Sequence, residues 1–89
     1  MIWQIEFDET AKKELTKLDR ESARRLLDFL KERVSPRKNP RSIGQALRGS
    51  QLGEFWKYRV GDFRIIVKIQ DAKLIVLVLR VGNRREIYK

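Results

Sequence analysis

Hydrophobic and polar positions alternate from Ile2 to Phe7, with Ile2, Gln4 and Glu6 on one side and Trp3, Ile5 and Phe7 on the other. That is the period of a half-buried strand. Asp8 then suits a helix N-cap, and Glu9 lies near the positive end of the helix dipole. Ala11, Leu15 and Leu18 recur at helical spacing, and Glu9 precedes Lys13 by one turn as a mildly stabilising pair. Asp19 or Glu21-Ser22 breaks the pattern. A second stripe of Ala23, Leu27, Leu30 and Val34, widened by Leu26, runs to Pro36, which cannot continue a helix. The charges on the outer faces of both helices are balanced and read as solvated surface.

Residues Ser35 to Gly53 form a connector rich in Pro, Gly, Ser and Arg, with Pro36 and Pro40 opposing regular structure early in it. Ile43, Ala46 and Leu47 are expected to pin it to the core. Arg37, Lys38, Arg41 and Arg48 make it basic, so it serves either as a phosphate-contacting loop or as a solubilising linker.

Three strand-like runs come next. Gly61-Asp62 is a two-residue hairpin turn in which glycine supplies the first central position of a type II′ geometry. That turn fixes a register. Val60 pairs with Phe63, Arg59 with Arg64, Tyr58 with Ile65, Lys57 with Ile66 and Trp56 with Val67. One face then carries Trp56, Tyr58, Val60, Phe63, Ile65, Val67 and Ile69, and is expected to meet the helices. The other carries Phe55, Lys57, Arg59, Arg64, Ile66 and Lys68. Leu74 to Val81 is apolar on both faces, as in a central strand. A three-residue turn at Asp71 to Lys73 sets Arg80 on the basic face, and a two-residue turn at Asp71-Ala72 sets it on the core face. The first is favoured, because an arginine among Trp56 and Phe63 needs a buried partner.

Length and composition narrow the function classes. The chain has 89 residues, enough for one compact unit, and no apolar run approaches the roughly 18 residues that span a bilayer. Its start lacks the basic and apolar regions of a signal peptide, so a cytoplasmic location is expected. Cysteine and histidine are both absent. Thiol nucleophiles, the usual zinc ligands and Ser-His-Asp schemes are therefore excluded, and any catalysis falls to Lys, Arg, Tyr or carboxylates.

The charge is +9, from 21 Lys and Arg against 12 Asp and Glu. Met1 to Ser35 holds eight of each sign, so Pro36 to Lys89, with 13 basic and 4 acidic residues, carries all of it. Facing cations such as Arg59 and Arg64 repel each other, an arrangement that sheets ordinarily avoid. A solvated face that resists edge pairing is the plain explanation. A face this concentrated, nearly free of acids and bearing aromatics, also suits a polyanion held by charge, with bases stacked on Phe55 or Tyr88.

The residues resemble the RelE/ParE superfamily of bacterial toxins. The resemblance covers nearly the whole chain. It rests on the opening strand and helix, the Leu47-Arg48-Gly49 element, the run Arg59-Val60-Gly61-Asp62-Phe63-Arg64, the apolar strand after it and the ending Val81-Gly82-Asn83-Arg84-Arg85-Glu86-Ile87-Tyr88. It implies an α+β fold of order β-α-α-β-β-β, one domain over residues 1–89, with a helical hairpin packed on one face of a mainly antiparallel, twisted four-stranded sheet. It also implies a toxin of a type II toxin-antitoxin module. The activity implied is a ribosome-dependent endoribonuclease that cuts translated mRNA in the decoding site by metal-independent attack of the 2′-hydroxyl, without a cofactor. The implied partners are the ribosome, mRNA and a RelB-like antitoxin.

Matched position by position, Lys57, Arg64, Arg84 and Tyr88 take the places of the RelE catalytic set. Arg64 and Arg84 would stabilise phosphoryl charge, and Tyr88 or Lys57 would accept the 2′-hydroxyl proton. Arg37, Lys38, Arg41, Arg48, Phe55, Arg59, Lys68, Arg80 and Arg85 are the candidate contacts to RNA or the ribosome. Phe55 stands where RelE has a second lysine, and Asn83 where many relatives have lysine or histidine. A ParE-like inhibitor of DNA gyrase, with the same fold and no nuclease activity, is the alternative.

Overall fold

Asp8 and Asp19 start the two helices, each carboxylate accepting a backbone N–H at 3.1 Å, from Thr10 and Ser22 respectively. In the computed structural model, which describes residues 2–50 and 52–83, β1 spans Gln4–Phe7, α1 Glu9–Lys17 and α2 Arg20–Phe29. The hydrogen bonds to Ser22 hold the Asp19 carboxyl below the usual carboxylate range. A π-helical turn, Leu30–Val34, extends α2. The connector contributes a 3-10 turn at Pro40–Ser42 and a two-residue strand β2, Gln45–Ala46. Then come β3 (Phe55–Val60), β4 (Phe63–Gln70), a 3-10 turn at Asp71–Lys73 and β5 (Ile75–Asn83).

The strand order is β1-β5-β4-β3-β2, with β1 parallel to β5 and the other pairs antiparallel. The α+β architecture is the expected one, and β2 makes the sheet five-stranded rather than four-stranded. Leu26, Leu30 and Val34 from the helical layer meet Tyr58, Ile65, Val67, Val76 and Val78 from the sheet in the core. Leu27, expected in the core stripe, is 43 % exposed. Leu26, Leu30 and Val34 recur every four residues and set the buried line, which leaves Leu27 about 100° around the helix from it. Ile43 packs on the core, but Ala46 is exposed.

The β3–β4 register matches the expectation at all five pairs, from Val60 with Phe63 to Trp56 with Val67. Gly61 has φ +59°, and Asp62 does not have a positive φ, as a type II′ turn requires. Between β4 and β5 the connection is longer than either expected turn. Gln70 pairs with Ile75, leaving Asp71 to Leu74 between them. Continued without interruption, that register would set Arg80 opposite Ile65, on the helix-facing side. Instead Val67 pairs with Val78 and Ile66 with Arg80, so Leu79 is an extra residue and the face switches there. The bulge returns Arg80 to the basic face by a route that turn length alone does not give.

Candidate active site

Three of the expected site residues come together where the basic face meets the outer edge of β3. Lys57, Arg59 and Arg64 line a cleft of about 410 Å³, joined by Phe29 and Arg33 from the helical layer and by Gln45 of β2. The local sequence builds it simply. Gln45 and Ala46 cover β3 only at Lys57 and Trp56, so the β3 edge beyond them is open to the cleft. Gly44 (φ +81°) turns the chain so closely over β3 that a Cβ there would meet the Lys57 carbonyl oxygen. Glycine is required on both counts.

Arg64 is the centre of this arrangement. The register sets it between Arg59 and Gly82 on the basic face, and the absence of a Gly82 side chain leaves lateral room beside it. It is nevertheless only 8 % exposed, and its Nη1 has no hydrogen-bond partner among the described residues. A buried guanidinium nitrogen without an acceptor costs roughly 1–3 kcal/mol, and more where the full charge is desolvated. An anion in the cleft removes that cost. None of the described residues lining the cleft is acidic.

Phe55 and Lys68 pair further along the same face, with the Lys68 ammonium 6.0 Å from the Phe55 ring centroid. This cation sits against an aromatic rather than a carboxylate. Lys57 is half-buried and Arg59 exposed.

Other candidates are held elsewhere. Arg80 grips Glu14 of α1 through Nε and Nη2 at 3.0–3.1 Å, and the same carboxylate accepts the Val81 N–H at 3.1 Å. The pairing raises the Arg80 pKa. Arg41 makes a two-pronged bond to Asp71 at 2.8 and 2.9 Å and donates to the Gly53 carbonyl at 2.8 Å. That pair pushes Arg41 up and holds the Asp71 carboxyl below the usual carboxylate range. Arg37 donates to the Arg33 carbonyl at 2.6 Å and to the Ser42 hydroxyl at 3.1 Å. Arg41 and Arg37 thus tie the connector together, the reverse of a loose basic loop. Lys38 and Arg48 are exposed, away from the cleft lining. Arg84, Arg85 and Tyr88 lie outside the described residues.

Tyr58 also lines the cleft, but its hydroxyl donates to the Pro40 carbonyl at 2.6 Å. Burial pushes this phenol well above its ordinary pKa, so it stays protonated and does not serve as a base. Arg33 and Gln45 are cleft residues that the sequence pattern does not single out. Arg33 lies in the charge-balanced half of the chain, and Gln45 in a connector whose only clear signal is its Pro and Arg content.

Together these features define a small basic α+β protein with a cationic cleft at one edge of its sheet, without an acid among its described lining residues and suited to holding phosphates. The family model for the ParE toxin of type II toxin-antitoxin systems, parDE, matches residues 5–88, and the chain belongs to this family, within the RelE/ParE superfamily. It is 30% identical over 89 residues to the toxin RelG of Mycobacterium tuberculosis, covering 100% of this chain and 99% of that protein. It is 32% identical over 90 residues to the mRNA interferase toxin RelE of Escherichia coli K12, covering 99% of this chain and 92% of that one. Among solved structures it is similar to a chain of the RelBE2 toxin-antitoxin complex of M. tuberculosis. The TM-score is 0.80 at 27% identity, covering 94% of this chain and 100% of that one. No helix among the described residues is long and apolar enough to cross a membrane.

Proposed function

We propose that this toxin is a ribosome-dependent endoribonuclease that cuts translated mRNA in the decoding site. The observation that carries the reading is the buried Nη1 of Arg64, unpartnered among the described residues, in a cleft shared with Lys57 and lined by no described acid. The 2′-oxygen forms a bond to the adjacent phosphorus while the bond from phosphorus to the 5′-oxygen breaks, giving a 2′,3′-cyclic phosphate and a 5′-hydroxyl end. Arg64 and Arg84 stabilise the charge that gathers on the phosphoryl oxygens. Lys57 or Tyr88 accepts the 2′-hydroxyl proton, and a proton is returned to the leaving 5′-oxygen. The chain's own cations supply the charge stabilisation, so the reading assigns no metal or cofactor.

The partners in this reading are the ribosome with its message and a RelB-like antitoxin that holds the toxin inactive in the cytoplasm. Relatives that carry the name mRNA interferase, and a similar chain solved within a toxin-antitoxin complex, support it. The description of the matching family favours a second reading, a ParE-like toxin that inhibits DNA gyrase without cutting RNA.

Controlled expression without antitoxin separates the two. The nuclease reading expects growth arrest with codon-phased 5′ ends in translated messages, abolished by Arg64→Ala and by Arg84→Ala. Arrest with intact messages and inhibited supercoiling would overturn it in favour of the gyrase reading.

A further inference from the structure

The end of α2 is built differently from the rest of the helical layer. The Ser35 N–H donates to the Leu30 carbonyl at 2.9 Å, five residues back, so this turn holds one residue more than an α-helical turn. Its geometry is anchored twice. Val34 is fully buried, and the Ser35 hydroxyl, also buried, donates to the Trp3 carbonyl at 2.5 Å. The Arg33 carbonyl accepts from Arg37 at 2.6 Å. An added residue rotates the succeeding side chains by about 100° around the helix, and such insertions gather at functional sites. Here the turn contributes Arg33 to the cleft of Arg64.

Among the described residues, the cleft then has four cations around it, Arg33, Lys57, Arg59 and Arg64, and no acid in its lining. The side chains of Arg33, Arg59 and Arg64 make no hydrogen bond or ion pair among the described residues, whereas Arg41 and Arg80 are each matched to a carboxylate. One phosphate is well served by Lys57 and Arg64. Gathering two further arginines at one edge costs stability by mutual repulsion, which a second phosphate offsets. Arginine suits that task, since its planar fork grips phosphate oxygens in pairs.

We infer that Arg33 forms a second phosphate subsite, holding the RNA phosphate next to the one at Arg64. The inference rests on the nuclease reading for the identity of the polyanion. It makes Arg33 a binding residue for the strand, outside the bond-breaking set.

The test is salt-dependent binding of the purified full chain to a short oligoribonucleotide 2′-O-methylated throughout, which cannot be cut. Each phosphate contact to a single strand contributes about −0.7 to the slope of log K against log salt. Arg33→Ala is expected to weaken binding about tenfold at about 0.1 M salt and to make the slope less negative by about 0.7, while Arg33→Lys keeps most of the slope. Arg24→Ala, which removes an equal charge from the exposed face of α2, is expected to change neither. Equal slopes for Arg33→Ala and Arg24→Ala, or no measurable wild-type binding at low salt, would overturn the inference. Wild-type protein that binds the strand but leaves translated message intact would instead sink the nuclease reading, so the two failures are distinguishable.

Discussion

Arg64 and Tyr58 are diagonal neighbours on one strand pair, and both are buried, yet they have opposite roles. Tyr58 is satisfied by the Pro40 carbonyl, so it contributes to the fold. Tyr58→Phe removes that bond and is expected to lower unfolding free energy by about 1–2 kcal/mol in urea titration. Its phenol pKa is higher in the folded protein than in the unfolded chain, so the stabilisation is fully present below about pH 10 and is lost as pH rises beyond it. The wild type should accordingly lose stability more steeply than Tyr58→Phe above that pH, and parallel profiles would contradict the assignment. Arg64 has a buried nitrogen without an acceptor among the described residues. Arg64→Met, of similar length and uncharged, is expected to match or exceed wild-type stability by up to about 2 kcal/mol while losing RNA cleavage. A large loss of stability would show that Arg64 is structural.

At the scale of elements, Glu14 connects α1 to the β5 strand just past the Leu79 bulge. It answers both the Arg80 guanidinium and the Val81 N–H. Arg80→Ala loses a half-exposed ion pair, worth under about 1 kcal/mol, with the Val81 bond intact. Glu14→Ala removes both, stranding a partly buried N–H, and is expected to cost about 1–2 kcal/mol. Chemical denaturation of the two variants checks the order, and an equal cost would contradict it. The same strand shows what the sequence can convey. The β3–β4 register is legible because Gly61-Asp62 permits one tight turn and the pairing comes by counting. The β5 register is not, because Leu74 to Leu79 is apolar on both faces and nothing in that run marks which residue bulges. Arg80 alone indicates the right face, through the cost of burying it. The π-helical turn is hidden for a similar reason, since Leu30 and Val34 keep helical spacing and only the bonds of Ser35 to Trp3, just before β1, fix the extra residue.

For the whole molecule, the sequence locates the excess charge in the second half of the chain, and the fold adds a distinction that counting cannot make. Arg41 and Arg80 carry the same charge as Arg59 and Arg64 but are tied to Asp71 and Glu14, so they hold elements together. In the sequence Arg33 is balanced by its acidic neighbours and reads as surface. In three dimensions it faces the cations of β3 and β4. Lys57, Arg59 and Arg64 are legible as a group because a hairpin face is fixed by its turn. Their meeting with Arg33 and Gln45 is not, because it depends on how the helical layer and β2 flank one sheet edge.

In the proposed function this cleft cuts mRNA held in the ribosome. Purified toxin added to ribosomes programmed with a defined message, with the decoding site empty, tests it most directly by 5′-end mapping and end-group analysis. One cut is expected within the codon in the decoding site, leaving a 2′,3′-cyclic phosphate and a 5′-hydroxyl, absent on free message and absent with Arg64→Met. Intact message in the presence of folded wild-type toxin would contradict it.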